Sequence, residues 1–427
     1  MKEVLVKSVR KFLPKKTVHS LEANYRKARV HAVSARYGYP GRGLRVIAVT
    51  GTNGKTTTIC YLNEILKSAG YKTALFSTAV IEMTGESRLN DLNATVALTS
   101  EMQQFLKEAK QNEVDYVLIE ATSHALDQHK LDTIPIECAI MTNLTQDHLD
   151  YHNTMDNYAA AKAKLFQMNP RYIVLNRDDE WFEYFNTFDA SEHKITYGTH
   201  EESEAQITGV KLYKKGSEAH IVVDHQTPLH VGSFLPGKYN VYNYCAAASA
   251  AYVMGVSLDA IVDGIATLES IPGRFERVPT EKSYEVIVDY AHTPDALEQL
   301  LATVKNMTKH RVILVFGACG DRDKEKRPIM GEVAARLADR VIVTDEESYG
   351  EEPGGIRAAV LEGIKKAGGE AKTEEIDDRE EAIKKALSIA RKDDIVLITG
   401  MGHEQYRIIK GERIPWNDAE IVKKILT

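Results

Sequence analysis

The sequence predicts an α/β protein of two successive domains behind a basic N-terminal arm. Three observations predict it. From residue 44, short β-branched runs alternate with helical stretches; a glycine-rich turn joins the first strand to its helix; and the alternation restarts after Val278 with a second set of strands. With 427 residues, 43% hydrophobic and 27% charged, the chain has room for two or three domains at about 100–200 residues each and is too apolar for long-range disorder.

The arm is residues 1–44. The first 45 residues hold twelve Lys/Arg and two acids, Glu3 and Glu22, a net of +10, whereas the remainder holds 42 basic and 59 acidic residues, a net of −17. Leu5, Val9 and Phe12 recur at helical spacing among Lys2, Lys7, Arg10, Lys11, Lys15 and Lys16. That pattern fits a basic amphipathic helix on an anionic membrane or phosphate-rich ligand, and equally a solvated helix docked by its apolar stripe. A second helical stretch over 21–37 ends in the 38–43 region, where Pro40 and glycines break the pattern.

The central domain, 45–278, opens with the strand Arg45–Thr50, a turn, and a helix over 55–69; further strands follow at 116–121, 139–143 and 171–176. This is the pattern of a mainly parallel sheet covered on both faces. Over about 195–235 the runs HKITYG, AQITGVKLY and AHIVVD predict a small antiparallel insert, followed by a helix over 241–254. In the C-terminal domain, 279–427, EVIVDY, RVILVF, RVIVTD and DIVLITG are strands of a second, Rossmann-like α/β unit.

Several function classes fall away. No apolar run approaches the roughly 18–20 residues of a spanning helix, and no signal-peptide pattern follows the N-terminal charges. Cys60, Cys138, Cys245 and Cys319 lie far apart without a CxxC pair, which argues against zinc and a disulfide framework. A cytoplasmic protein with small-molecule substrates and no nucleic-acid partner is expected.

GTNGKTTT (51–58) sits between strand and helix, the context of a phosphate-binding loop. Gly51, Thr52, Asn53, Gly54, Thr56 and Thr57 would wrap phosphate oxygens with backbone N–H groups at a helix N-terminus, Lys55 would reach the β- and γ-phosphates, and the Thr56 hydroxyl would hold Mg²⁺. Val49 occupies the place of the usual first glycine, and no NKxD string supports guanine recognition. The central domain therefore reads as a P-loop ATPase. Glu120 and His148 follow strands at their carboxyl ends, where open α/β sheets put ligands. On a helix over 156–166, Lys162 shares a face with Tyr158, Leu165 and Phe166, and a core-facing lysine is costly unless paired or modified.

From TGTNGKTTT onward the chain resembles the Mur ligases, and within them the MurE type. The resemblance runs through ATSHALDQH, TNLTQDHLDYH, AAKAKLF, PGKYNVYNYCAA, IPGRFERV, VDYAHTPDAL, VFGACGDRDKEKRP and GMGHEQY. It implies an ATP-dependent amide ligase that adds an amino acid to a muramyl-dipeptide-like cell-wall precursor through an acyl phosphate. It implies two Mg²⁺ sites held by Thr56, Glu120, His148 and Lys162, with Lys162 carbamylated by CO₂, and assigns catalysis to Lys55, Glu120, His148 and Lys162. It assigns the nucleotide further to Asn240, Asn243, Arg274, Asp289, His292, Asp321 and Arg327. Helix capping, turns and salt bridges are the alternative roles of the asparagines, aspartates and arginines. Thr99, Ser123 and Lys130 fall where the family binds the D-glutamyl stem, Lys130 standing for a usual arginine.

Two departures stand out. Diaminopimelate enzymes carry DNPR after the third C-terminal strand, the arginine clamping the distal carboxylate; here Glu346, Glu347, Ser348 and Tyr349 stand there. That acidic patch favours lysine or ornithine, whereas Gly400 and Glu404 match the segment diaminopimelate enzymes use. The second departure is that about 45 residues precede the loop where relatives have a uridine-nucleotide-binding domain, which leaves open an acceptor linked to UDP, to lipid or to neither. A monomer is expected, with membrane or lipid-linked-precursor contact through the arm. The competing readings are a folylpolyglutamate-type ligase and, from another class, a catalytically weak nucleotide-binding scaffold at the membrane.

Overall fold

The computed structural model describes residues 15–90, 99–224 and 228–427, with side chains described from residue 21. The expected amphipathic helix on Leu5, Val9 and Phe12 lies outside them. The helical stretch after it is the helix Lys15–Arg36.

The strands β1 (Arg45–Thr50), β2 (Thr73–Phe76), β3 (Val80–Met83), β4 (Glu86–Leu89), β5 (Tyr116–Glu120), β6 (Cys138–Met141), β7 (Tyr172–Asn176), β8 (His193–Gly198), β9 (Ala205–Tyr213), β10 (Gly216–Val223) and β11 (Leu229–Ser233) form one eleven-stranded sheet. Its order is β11-β10-β9-β8-β7-β6-β1-β5-β2-β3-β4. β1 lies between β5 and β6, parallel to both. Period-2 alternation divides its side chains between two cores. Val46 and Ala48 join the helices Thr99–Gln111 and Met155–Ala163, while Ile47 and Val49 pack under the helices Lys55–Ser68, Lys238–Val253 and Leu258–Thr267. Burial on both faces is why these strands read as unbroken apolar runs.

The antiparallel insert expected over 195–235 needs correcting. β8, the HKITYG run, pairs parallel with β7, and β9 enters parallel to β8; only β9-β10-β11 is an antiparallel meander, and it extends the main sheet. A half-buried alternating strand and an edge-side parallel strand look alike in sequence, because both alternate.

A second sheet holds β12 (Glu276–Val278), β13 (Glu285–Asp289), β14 (Val312–Phe316), β15 (Arg340–Val343), β16 (Thr373–Glu375) and β17 (Ile395–Thr399) in the order β12-β13-β17-β14-β15-β16, parallel except for β12. β12 was assigned to the central domain from sequence, so the sheets change over upstream of Glu276. Helices cover both faces of this sheet too. Among the described residues no helix is long and apolar enough to cross a membrane, and all four cysteines are free thiols.

Candidate active site

The carboxyl ends of β1, β5 and β6 face loops from the second sheet across a cleft of about 1280 Å³. The 51–58 loop forms its floor. Gly51 has φ 146 and Gly54 φ 83; a Cβ on Gly51 would meet Thr142 Oγ1 at 1.8 Å, and one on Gly54 would meet Asn243 Oδ1 at 2.2 Å. Only glycine permits this course of the chain. Gly54 caps the helix Lys55–Ser68, whose first-turn N–H groups open to the cleft. Val49 is fully buried inside β1, so the loop begins at Gly51 without the usual first glycine.

Lys55 Nζ donates to Gly51 O (3.1 Å) and Thr52 O (2.8 Å) and lies 3.9 Å from Glu120 Oε1. Burial pushes its pKa down, against the pull of Glu120. Glu120 ends β5, and its Oε2 accepts from Thr56 Oγ1 (2.9 Å), Thr78 N (3.0 Å) and Thr78 Oγ1 (3.1 Å). Arg274 Nη2 reaches Thr56 Oγ1 at 3.2 Å from the second half of the molecule, its guanidinium stacked 4.3 Å over Tyr290.

Lys162 is 1% exposed, donates to Gly51 O at 2.6 Å and sits 4.5 Å over the Tyr158 ring. Burial, then the neighbouring Lys55, hold its ammonium well below the usual lysine range. Lys164 instead turns away to Asp127 at 2.7 Å. His148 is a left-handed residue, φ 55, at the start of the helix Leu149–His152; its Nδ1 is buried without a hydrogen-bond partner, and burial pushes its pKa down. A buried ring nitrogen in a left-handed residue makes His148 a candidate functional position.

These observations fit a nucleotide and metal. The cradle excludes any Cβ, Thr56 and Glu120 offer hard oxygen donors, and His148 Nδ1 has its lone pair or proton to spare. Among the described residues no group of three or more His, Cys, Asp or Glu forms a ready-made metal cage. Mg²⁺ matches that sparse donor set, since it is commonly held by one or two carboxylates plus substrate phosphates.

The remaining expected residues divide. Asn240 lies inside the helix Lys238–Val253, capped by Gly237, so its role is not the N-cap; its Nδ2 donates to Pro236 O (2.7 Å) and its Oδ1 accepts from Asn243 Nδ2 (3.1 Å). Asp289 accepts from Phe275 N (2.7 Å) and Ala291 N (2.8 Å), clamping the passage between the sheets, and burial pushes its carboxyl up. His292 donates to Tyr290 O (2.8 Å) and faces Asp147 at 3.7 Å. Ser123, Glu347, Tyr349, Gly400 and Glu404 also line the cleft.

Four do not line it. Arg327 is bound to Glu351 (2.9 and 3.1 Å) and Cys319 O (3.1 Å), and Asp321 Oδ2 accepts from Gly350 N (2.9 Å); both brace the loop that carries Tyr349. Thr99 begins the helix Thr99–Gln111, and Lys130 lies in the turns after the helix Ser123–Asp127. Conversely, sequence reasoning missed Asp147 and Lys326. Asp147 Oδ1 lies 3.2 Å from Lys326 Nζ, joining the two halves of the cleft, with both residues buried. Burial pushes Asp147 up, but His148 and Lys326 more than offset it and hold it well below the carboxylate range. Lys326 sits in DKEKRP among Lys324 and Arg327, and nothing in that string says which cation turns inward.

Two family descriptions match the chain: the Mur ligase middle domain over 49–251 and the Mur ligase glutamate ligase domain over 273–402. It is 39% identical over 395 residues, 91% of its length and 80% of the relative's, to the UDP-N-acetylmuramoyl-L-alanyl-D-glutamate–2,6-diaminopimelate ligase of Syntrophomonas wolfei. A solved structure of a ligase bearing that name superposes with a TM-score of 0.61 at 36% identity, covering 90% of this chain and 78% of the other. The Mycobacterium tuberculosis folylpolyglutamate synthase complexed with ADP and AMPPCP matches in fold, at TM-score 0.70 and 19% identity over 87% of this chain and 92% of that one.

Proposed function

The chain belongs to the Mur ligase family, ATP-dependent acid–amino acid ligases that use Mg²⁺, and from that premise we propose that it joins a diamino acid to the D-glutamyl carboxylate of a muramyl dipeptide. The observation that carries the proposal is a single cleft with two chemically different ends. The glycine-rich loop, Glu120 and Lys162 open into it from one sheet, and the acidic pair Glu347 and Glu404 from the other.

Lys55, Arg274 and the loop N–H groups hold phosphate oxygens at the first end. Thr56, Glu120 and His148 would hold Mg²⁺, which when bound would neutralise charge on the phosphates. An acceptor carboxylate oxygen attacks the γ-phosphorus and ADP leaves. The incoming amine then attacks the acyl carbon, and phosphate departs with that carboxylate oxygen while the amine loses a proton. Lys162 is carbamylated in this reading: burial favours the neutral amine that attacks CO₂, an N–C bond forms with loss of a proton, and the resulting anion would face Lys55 and any bound metal.

At the other end, Tyr349 donates to Glu347 (2.8 Å), and burial with Glu347 pushes Glu404 up to about 8. Glu347 beside the tyrosine, and Glu404 once it ionises, favour a lone distal ammonium, as on lysine or ornithine. The second reading, diaminopimelate, is favoured by Arg322, whose guanidinium lies 4.9 Å over the Tyr349 ring and supplies a cation to that end. ADP release with lysine, ornithine and meso-diaminopimelate separates them: preference for either of the first two is expected, and preference for diaminopimelate, abolished by Arg322→Ala, overturns the first reading. The proposal takes the enzyme as a monomer and as cytoplasmic, where ATP is available. Lipid or membrane contact through the basic arm belongs to the same proposal.

A further inference from the structure

Three segments meet at one aromatic ring between the two ends of the cleft. Tyr290 follows β13 (Glu285–Asp289) and lines the cleft rather than either buried core of the second sheet. The turn that carries Arg274 and the loop over 400–404 close on it. Gly400 N donates to Asp289 O at 3.1 Å. A Cβ on Gly402, at φ 51, would meet Tyr290 Cβ at 2.7 Å, and one on Gly273, at φ 63, would meet His403 N at 2.1 Å. Glycine at both positions is what lets the turn, the strand end and the loop approach so closely.

The ring and the hydroxyl of Tyr290 have neighbours of opposite charge. The Arg274 guanidinium lies 4.3 Å over the ring, its Nη2 reaches Thr56 Oγ1 at 3.2 Å, and its Nε is buried without a hydrogen-bond partner. Stacking on an aromatic face fixes the direction of a planar cation, and the unpaired N–H suits an acceptor oxygen brought by a ligand. At the far end of the same side chain, the hydroxyl lies 3.4 Å from Glu404 Oε1. His292 and His403 pack around the ring, with centroids 4.6 and 5.0 Å from it, and hold its orientation. One side chain therefore touches both the cation that reaches the phosphate loop and an acid of the amine end.

We propose that Tyr290 is a positioning residue for both ends of the cleft: its ring aims Arg274 at the phosphates, and its hydroxyl orients Glu404 toward the incoming amino acid. The inference rests on the ligase reading and adds to it a residue that sets the spacing of the two ends. Phosphoryl transfer and amine attack occur in succession on one carboxylate, so the groups serving them need a fixed relation to each other.

Two variants separate the two roles. Tyr290→Phe keeps the ring and removes the hydroxyl, whereas Tyr290→Leu removes both. A non-hydrolysable ATP analogue with Mg²⁺ is titrated calorimetrically into each full-length protein, and thermal unfolding monitors the fold. Analogue affinity in Tyr290→Phe within about twofold of wild type, and about tenfold weaker in Tyr290→Leu, is expected for loss of the stacked cation's support. Coupled ADP release is then measured with muramyl dipeptide and the amino acid that wild type uses best. In Tyr290→Phe the KM for that amino acid rises about tenfold while the KM for ATP stays level. An unchanged amino-acid KM in Tyr290→Phe, or equal weakening of both ligands in that variant, overturns the hydroxyl's role whether or not Tyr290→Leu folds. Analogue affinity equally weakened in the two variants, or unchanged in a folded Tyr290→Leu, overturns the ring's role. Wild type that turns over none of lysine, ornithine and meso-diaminopimelate overturns the ligase reading and the hydroxyl's role with it, while the calorimetric difference still decides the ring's.

Discussion

Asp147→Asn tests whether the two halves of the cleft are held by charge. The pair with Lys326 spans 3.2 Å, and both residues are about 3% exposed. At an effective dielectric of about 20 its Coulomb energy is about 5 kcal/mol, part of it offset by desolvation. Removing one partner of such a buried pair costs about 3–5 kcal/mol, because the other charge is left behind. Since the partners stand on different sheets, we expect the loss in closure over the nucleotide: kcat/KM for ATP falls at least about 100-fold, as about 3 kcal/mol implies. The assay is coupled ADP release for Asp147→Asn, Lys326→Met and the double variant, with thermal unfolding as the check on folding. A coupling energy of about 2 kcal/mol or more is predicted. Single losses under threefold, or losses that multiply independently, refute the reasoning. Because the folded-state pKa of Asp147 is depressed, the contribution is present above its ordinary value and fades only as pH falls through the depressed one, so the ratio of wild type to Asp147→Asn stays level from pH 6 to 9.

Lys162→Ala abolishes turnover, and removing CO₂ from the wild type lowers activity reversibly; a ¹³C carbamate resonance in protein equilibrated with labelled bicarbonate, absent from the variant, checks the cause. Gly51→Ala drives a Cβ to within 1.8 Å of Thr142 Oγ1 and eliminates ATP-analogue binding in calorimetry while circular dichroism stays near wild type. Glu404 has a raised folded-state pKa, about 8 against an ordinary 4.5, so the folded protein binds the extra proton and stability falls as pH rises between those values. Glu404→Gln therefore raises the unfolding temperature by about 2 °C or more at pH 8, with the gain vanishing toward pH 4.5.

The parallel strands were legible because burial on both faces leaves uninterrupted apolar runs: Arg45–Thr50 has the same bounds in sequence and structure. The floor of the cleft was equally legible, since a glycine turn between strand and helix has one main use. What escaped depends on contacts between distant segments. Whether HKITYG joins β7 or a separate insert is decided by its neighbours, which alternation does not name. Asp147 became visible only when Lys326 and His292 arrived from the second sheet, and Arg327 left the expected set because Glu351, 24 residues on, captures its guanidinium. Lys162 read as a core-facing lysine from its helical spacing to Tyr158, with its role implied by the resemblance; it is buried, although the helix ends at Ala163, short of Leu165 and Phe166.

The central claim is that this cleft activates a carboxylate as an acyl phosphate before an amine displaces the phosphate. The measurement is oxygen transfer: muramyl dipeptide carrying ¹⁸O in its D-glutamyl carboxylate is turned over with ATP and the amino acid, and the released phosphate is read by mass spectrometry. One ¹⁸O per phosphate formed, with ADP as the nucleotide product, is predicted. Unlabelled phosphate, or ¹⁸O recovered in AMP, would contradict it.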